Sequence, residues 1–201
     1  MTATLIVTID TEEEGLWGGR YRRHGNIVEN IQHLPRFQSL CDEFGVLPTY
    51  LIDAPVVDDD RSAEILRGIR ADERCEVGTH IHPWCNPPFD EEINPRNSYF
   101  CNLPEDLQRA KLSWLTDRIE DRIGLKPTSF RAGRYGLDIV GARLLVEHGY
   151  LVDSSVIPFT SYAAEFGPDF SRAPHTPYFV GGDDLRIPRS SGILFEVPVS
   201  I

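Results

Sequence analysis

Short apolar runs rich in β-branched residues recur along the chain, separated by segments in which the apolar residues follow helical spacing. A run of the first kind is typical of a buried strand in a parallel sheet, whereas apolar positions three or four residues apart indicate a helix. The apolar runs predict strands at residues 5–9, 46–53, 75–81, 129–132, 149–153 and 194–199.

Helical spacing occupies most of the intervals between these strands. Pro35 lies inside the first helical segment and is expected to kink or divide it, and Ser62 is a plausible cap for the second. Gly124 is expected to end the clearest helix. The predicted helices cover residues 27–44, 62–69, 104–123 and 139–148, and Gly-, Pro- and Ser-rich loops are expected at 12–26, 86–104 and 155–193.

The regular alternation of strand and helix predicts an α/β fold with parallel strands. In such folds the working site lies at the carboxyl ends of the strands. Several side chains with useful chemistry fall at or just after predicted strand ends. They are Asp10, Glu12, His80, His82, Arg131 and Asp153.

His80 and His82 are the strongest sign of chemistry in the chain. One residue separates them on a predicted strand, so both imidazoles project from one face and form half of a metal site. An acidic residue after the first strand can supply an oxygen ligand. A divalent metal held there would lower the pKa of its bound water to about 7. A carboxylate that is not a ligand would then serve as general base, and Arg131 is the candidate to hold that base ionised.

Net charge and the length of the apolar runs argue against some classes of binding partner. The formal net charge of -11 argues against nucleic acid and against anionic membrane surfaces. No apolar run approaches the roughly 20 residues of a membrane span, and no signal peptide is recognisable, so a cytoplasmic location is expected. Four reduced cysteines are expected, with Cys85 a possible soft metal ligand.

Five segments of the chain, in order, resemble the motifs of the polysaccharide deacetylases, the carbohydrate esterases built on a NodB-homology domain. The resemblance extends from residue 5 to about residue 198. The matching segments are residues 10–12 (DTE), 45–51 (GVLPTYL), 76–83 (EVGTHIHP), 130–136 (FRAGRYG) and 149–155 (GYLVDSS).

This resemblance implies a distorted, incomplete (β/α) barrel and a divalent metal, commonly zinc, that serves in removing N-acetyl groups from amino-sugar polymers. By position, Asp10 resembles the general base, Arg131 the arginine that orients it, and His80 and His82 the ligand histidines. Glu12 is expected to be the third ligand, although the sequence leaves open whether Asp10 or Glu12 is the carboxylate that binds the metal. Four further residues are expected to bind the substrate, with the backbone N–H of Tyr135 placed to stabilise an oxyanion. They are Trp84, Arg134, Tyr135 and Asp153.

The chain departs from the family pattern at three points. Thr11 stands where a ligand aspartate is usual, so Glu12 is expected to serve instead. The histidines are two residues apart where the family usually has four, which still allows convergence on an extended segment. No histidine follows His175, although the family normally carries a late one that protonates the leaving amine. Residues 1–201 are therefore expected to be a single domain truncated at its C-terminus, or else another residue supplies that proton.

Other interpretations remain open from the sequence. Trp84 is either a sugar-stacking platform or a core tryptophan, and Arg131 considered alone could form an ordinary surface salt bridge. The scaffold could also hydrolyse a small cyclic or linear amide. A further alternative is a non-catalytic domain that binds carbohydrate or metal.

Overall fold

Eight strands form a single sheet in the computed structural model, which describes residues 4–18 and 21–200. The strands are β1 (Thr8–Thr11), β2 (Thr49–Ile52), β3 (Glu76–Ile81), β4 (Ser129–Ala132), β5 (Val152–Asp153), β6 (Tyr178–Gly181), β7 (Asp184–Arg189) and β8 (Phe195–Glu196). Their order is β1-β2-β3-β4-β5-β8-β6-β7. The first five strands and β8 pair in parallel, whereas β6 pairs antiparallel with both β7 and β8.

Helices connect the parallel strands. The α-helices are α1 (Leu34–Glu43), α2 (Ala54–Asp58), α3 (Asp60–Arg70), α4 (Glu105–Ile123) and α5 (Ile139–His148). Short 3-10 turns occupy Leu16–Gly18, Glu29–His33, Ala71–Glu73, Phe100–Asn102, Gly133–Tyr135 and Ala163–Glu165. Within the described ranges no ladder joins β1 to β7, so the sheet stays open. The predicted α/β class and incomplete barrel are confirmed.

Local chemistry explains where the helices begin and end. Pro35 divides the first helical segment as expected, because α1 begins one residue before it and a 3-10 turn precedes it. Asp59, and not Ser62, caps α3, since its carboxylate accepts a hydrogen bond from the Ser62 N–H. Gly124 ends α4 in the left-handed conformation, at φ 80°.

Two parts of the sequence prediction were wrong in detail. The first strand begins at Thr8, later than predicted, because its ladder with β2 starts after Pro48, which has no N–H to donate. The hairpin of β6 and β7 lies inside a stretch expected to be a loop. Pro188 sits within β7, a position that an edge strand tolerates because one of its sides is unpaired.

The hydrophobic core lies between the sheet and the helices. It includes fully buried Tyr50, Leu66, Leu115, Phe130 and Tyr150. All four cysteines are unpaired. Among the described helices, none has both the length and the apolar composition that a bilayer crossing requires. The polar groups considered next lie at the carboxyl ends of β1, β3 and β4.

Candidate active site

The two histidines of the His-x-His segment meet at the end of β3. Their Nε2 atoms lie 3.0 Å apart, and both side chains are buried, at 2% and 3% exposure for His80 and His82. The segment is extended, so the alternation of side chains places both rings on one side of the sheet. The spacing of two residues therefore does allow convergence.

Glu12 completes a triangle with these two nitrogens. Its Oε2 lies 3.1 Å from Nε2 of His80 and 3.3 Å from Nε2 of His82. Zinc ligands at about 2.0–2.2 Å in a tetrahedral arrangement lie about 3.3–3.5 Å apart, close to the edges of this triangle. Thr11 takes no part, because its hydroxyl donates a hydrogen bond to the carbonyl oxygen of Ile9. The donor set fits a divalent cation of the zinc type.

The outer nitrogens of both imidazoles face acceptors. Nδ1 of His80 lies 3.0 Å from the carbonyl oxygen of Arg131, and Nδ1 of His82 lies 2.8 Å from Oε2 of Glu13. A neutral ring that donates through Nδ1 carries a lone pair on Nε2. Both lone pairs then point at each other and at the Glu12 carboxylate, an arrangement that a cation would stabilise.

The electrostatics of the site favour positive charge at the same place. Burial disfavours the His82 imidazolium, yet the Glu13 carboxylate, with Cys85 and Glu12, holds the pKa of His82 well above its ordinary value. Burial would raise the pKa of Glu12, but its hydrogen bonds to His80 and His82 outweigh this and lower it to about 2. The pocket therefore keeps its carboxylate ionised and attracts a cation.

Sequence reasoning missed Glu13 and Asp53. Glu13 bonds the outer nitrogen of His82, and Asp53 accepts a hydrogen bond from the backbone of Glu13. Glu13 is 4% exposed, and its other oxygen, Oε1, accepts a hydrogen bond of 2.8 Å from the indole N–H of Trp84. Asp53 is fully buried, accepts the backbone N–H of Glu13 and caps α2. Burial and the Glu13 charge raise the pKa of Asp53 well above its ordinary value. The available signal was an acidic run directly after a buried strand.

Cys85 joins Glu13, Asp53 and His82 in a second group of potential metal-binding atoms. The oxygens of this group are already engaged by Nδ1 of His82, the Trp84 indole and backbone N–H groups. Burial raises the pKa of the Cys85 thiol well above its usual value, which disfavours the thiolate that binds metal. The group therefore acts as a hydrogen-bonded support for His82.

Asp10 and Arg131 lie beside the triangle. Nη1 of Arg131 donates to Oδ1 of Asp10 at 2.6 Å, and the arginine is 4% exposed. The rest of the guanidinium is held by Thr8 and by both the carbonyl and the hydroxyl oxygen of Ser154. Asp10 and Glu12 alternate with Thr11, so both project on one side of the strand end. The structure thus brings together the five residues predicted as ligands, base and orienting arginine.

No family model matches the chain, and no curated protein matches it either. Solved structures do match, among them a Mycobacterium smegmatis protein described as a polysaccharide deacetylase, with TM-score 0.54 and 23% identity over 83% of this chain. The deacetylase domain of BpsB from Bordetella bronchiseptica matches with TM-score 0.52 and 14% identity over 97% of this chain.

The chain has the polysaccharide deacetylase fold. It spans 45% of the Mycobacterium smegmatis structure and 72% of the Bordetella bronchiseptica domain. A third match is a variant of a Bacillus anthracis pseudoenzyme of carbohydrate esterase family 4 whose enzymatic activity has been restored. That match has TM-score 0.51 and 18% identity, and covers 77% of this chain and 45% of that one. The deacetylase fold therefore occurs in active and in inactive forms.

Two residues expected to bind substrate in this deacetylase fold are buried. Trp84 is 3% exposed, with its ring stacked on His82 at 4.4 Å between centroids and contacted by Tyr21 at 4.5 Å. The core interpretation of Trp84 fits this placement, whereas the sugar platform does not. Asp153 is fully buried and level with Phe130 of β4, so it has no surface to offer a ligand.

Arg134 and Tyr135 directly follow β4, at the rim of the candidate site. Both adopt the left-handed conformation, at φ 53° and 58°. Arg134 lies 4.2 Å over the ring of Tyr99 and pairs with Glu165, while Tyr135 stacks on Tyr162. Burial and the nearby Asp10 charge raise the pKa of Tyr135. These two residues remain partly exposed.

Proposed function

We propose that the chain is a metal-dependent hydrolase that removes N-acetyl groups from an amino-sugar polymer or glycan precursor. One observation carries the proposal: Glu12, His80 and His82 converge within 3.0–3.3 Å, with both outer imidazole nitrogens engaged by acceptors. The pair of Asp10 and Arg131 beside the triangle supplies the base that amide hydrolysis needs.

Glu12, His80 and His82 would hold the metal, and Glu13 would fix the ring of His82. A divalent ion bound by such ligands acts as a Lewis acid and makes water nucleophilic at neutral pH. Three protein ligands leave a position open, as in catalytic zinc sites. Zinc is the proposed ion because two imidazoles and one carboxylate are its common catalytic ligands.

Asp10 is proposed to accept the proton of the attacking water. The guanidinium of Arg131 donates to Oδ1 of Asp10 and thereby fixes the orientation of the carboxylate. General bases of this kind contribute about 10²–10⁴-fold to a rate. His175 is exposed and lies against Phe159, so we propose that Asp10 returns the same proton to the leaving amine.

The backbone N–H of Tyr135 is proposed to stabilise the tetrahedral oxyanion. Tyr135 belongs to the segment Gly133–Tyr135, which follows β4 directly. This segment lies beside the site, because Gly133 packs against His82. One such donor contributes about 3–4 kcal/mol to the transition state. Arg134 and Tyr135 would contact the saccharide at the rim.

The test combines metal analysis with an assay on an acetylated chito-oligosaccharide. Asp10→Asn should retain the metal and lose acetate release by about 10²–10⁴-fold, whereas the exposed control Asp121→Asn should match the wild type. Full activity in Asp10→Asn would remove the mechanism.

Two other functions remain as outcomes of this test. Hydrolysis of small cyclic or linear amides, with no acetate released from saccharides, would select a small-amide hydrolase. Stoichiometric metal with no turnover on any amide or ester would select a non-catalytic domain. The presence of a pseudoenzyme among the similar structures supports this alternative.

A further inference from the structure

Two carboxylic acids are buried side by side behind the site. Asp153 of β5 and Glu196 of β8 are direct partners in the parallel ladder, and neither is exposed to solvent. Oδ1 of Asp153 accepts from the Ser155 hydroxyl at 2.6 Å, and Oε1 of Glu196 accepts from the Val156 N–H at 3.2 Å. The remaining oxygens, Oδ2 and Oε2, are buried and have no other hydrogen-bond partner in the described chain.

Few charges face this pair. Arg131 of β4 is the cation near both carboxyls, and Tyr178 of β6 is the other titratable neighbour. Burial raises the pKa of Asp153, and burial together with the Asp153 charge raises the pKa of Glu196 well above its ordinary value. Burial and both carboxylates also raise the pKa of Tyr178, which therefore stays neutral. Two adjacent carboxylates in such surroundings do not both ionise.

The pair of Asp153 and Glu196 anchors residues 154–156, the segment that accepts hydrogen bonds from Arg131. Ser154 accepts two hydrogen bonds from the guanidinium, through its carbonyl and its hydroxyl oxygen, both at 2.8 Å. Ser155 accepts the backbone N–H of Ala132 at 2.9 Å while it donates to Asp153. Val156 is tied to Glu196. Each of the three residues after Asp153 is thus bound to the acid pair or to β4.

We propose that Asp153 and Glu196 share one proton and act as positioning residues for Arg131. The shared proton holds β5 and β8 together, so that residues 154–156 present fixed acceptors to the guanidinium and to the backbone of β4. The positioning role rests on the proposed function, whereas the shared proton does not. Loss of that proton at alkaline pH would set two negative charges against each other and loosen the support of Arg131.

The shared proton has a definite effect on stability. The folded pair keeps a proton that the unfolded chain releases near the ordinary carboxyl pKa, about 4. Stability is therefore complete below that pH and falls as pH rises, up to the raised pKa of the folded pair. One extra proton in the folded state lowers the folding equilibrium constant tenfold per pH unit over this interval.

Glu196→Gln tests this without removing the contact. The amide can donate to Asp153 where the proton was, and its carbonyl oxygen can still accept from the Val156 N–H. Asp153→Asn makes the reciprocal change. Glu120→Gln, an exposed position on α4, is the matched control.

The first measurement is urea unfolding of the chelator-treated 201-residue chain between pH 4.5 and 9. Per pH unit, the folding equilibrium constant of the wild type and of Glu120→Gln should fall about tenfold more than that of Glu196→Gln and Asp153→Asn, because His82 and the other shifted groups are common to all four proteins. Identical slopes in all four proteins would overturn the shared proton. If one of the two amide variants fails to fold, the other decides.

The second measurement follows Arg131 directly. Its Nε–H signal in ¹H–¹⁵N spectra, assigned with Arg131→Lys, should be protected from exchange at pH 6 because Ser154 accepts it. Protection should fall at least tenfold on the alkaline side in the wild type and persist in Glu196→Gln. Equal protection in both proteins at every pH would show that the pair does not position Arg131. Neither measurement requires turnover, so failure of the proposed function would not alter either result.

Discussion

Gly133 lies so close to His82 that a β-carbon at position 133 would stand 2.2 Å from Cδ2 of the imidazole and 2.6 Å from the carbonyl oxygen of Ile81. Only hydrogen fits between β4 and the second histidine. The glycine of the segment after β4 therefore sets how closely the two strand ends approach.

Gly133→Ala should displace His82 and weaken metal binding at least tenfold, with a loss of stability of about 1–3 kcal/mol from overpacking. Isothermal titration with zinc and urea unfolding would measure both effects. Gly68→Ala is the control, because nothing lies within 4 Å of its added β-carbon. That control should gain about 0.5–1 kcal/mol as a helix-interior alanine. Unchanged zinc affinity in Gly133→Ala would contradict the placement of His82 as a ligand.

Glu13→Gln should weaken metal binding by about 10–100-fold, the usual effect of losing the partner of a ligand histidine. Glu13 uses one oxygen for Nδ1 of His82 and the other for the Trp84 indole, and an amide has only one oxygen. Competition with a coloured chelator would measure the affinity. Glu14→Gln tests the neighbouring acid, which is exposed and bonds Asn30. Equal affinities in the two variants would show that Glu13 only fills space.

Arg131→Lys should separate turnover from metal binding. The contact to Nδ1 of His80 comes from the main-chain carbonyl, which the substitution keeps. The hydrogen bonds of the guanidinium to both Asp10 and Ser154 are lost. We expect kcat to fall about 10²-fold, as for a misplaced catalytic group, with zinc affinity within about twofold of the wild type. Arg118→Lys, which affects only exposed pairs with Asp58 and Asp121, is the control. A parallel loss of zinc would mean that the side chain supports the ligands as well.

Lys111→Met should destabilise the fold by about 3–5 kcal/mol, because it leaves the Glu91 charge buried without a partner. The buried ammonium contacts the carbonyl oxygens of Pro83, Asn86 and Pro88, and thereby holds the loop that follows His82. Urea unfolding would measure the effect, and the exposed Lys126→Met should stay within about 0.5 kcal/mol of the wild type. Partial recovery in Lys111→Met/Glu91→Gln would assign the loss to the unpaired carboxylate.

The triangle was accessible from the sequence because strand periodicity and strand order are enough to bring its members together. Alternation places the two histidines on one face, and parallel pairing brings the ends of β1 and β3 to one edge. The same argument brought Arg131 to Asp10. Their catalytic and ligand roles stay predictions, which metal analysis and the variants above test.

The supporting residues were not accessible in the same way. Nothing in the run of Glu12, Glu13 and Glu14 tells which carboxylate is buried, because burial depends on loops that pack over the strand end. Trp84 was ambiguous for the same reason. The β6–β7 hairpin was missed because its proline and glycines resemble a loop until the edge of a sheet is available to accept them.

Asp10 lies on β1 and Glu12 directly follows it, and in the described chain this strand pairs only with β2. The acidic half of the site is thus attached by a single row of backbone hydrogen bonds. His80 lies on β3 and His82 directly follows it, and β3 has a neighbouring strand on each side. A cation held by Glu12, His80 and His82 would cross-link the end of β1 to the end of β3. It would thereby attach the edge strand of the sheet to a central strand. Loading the site would then slow amide exchange in the first strand more than in the third.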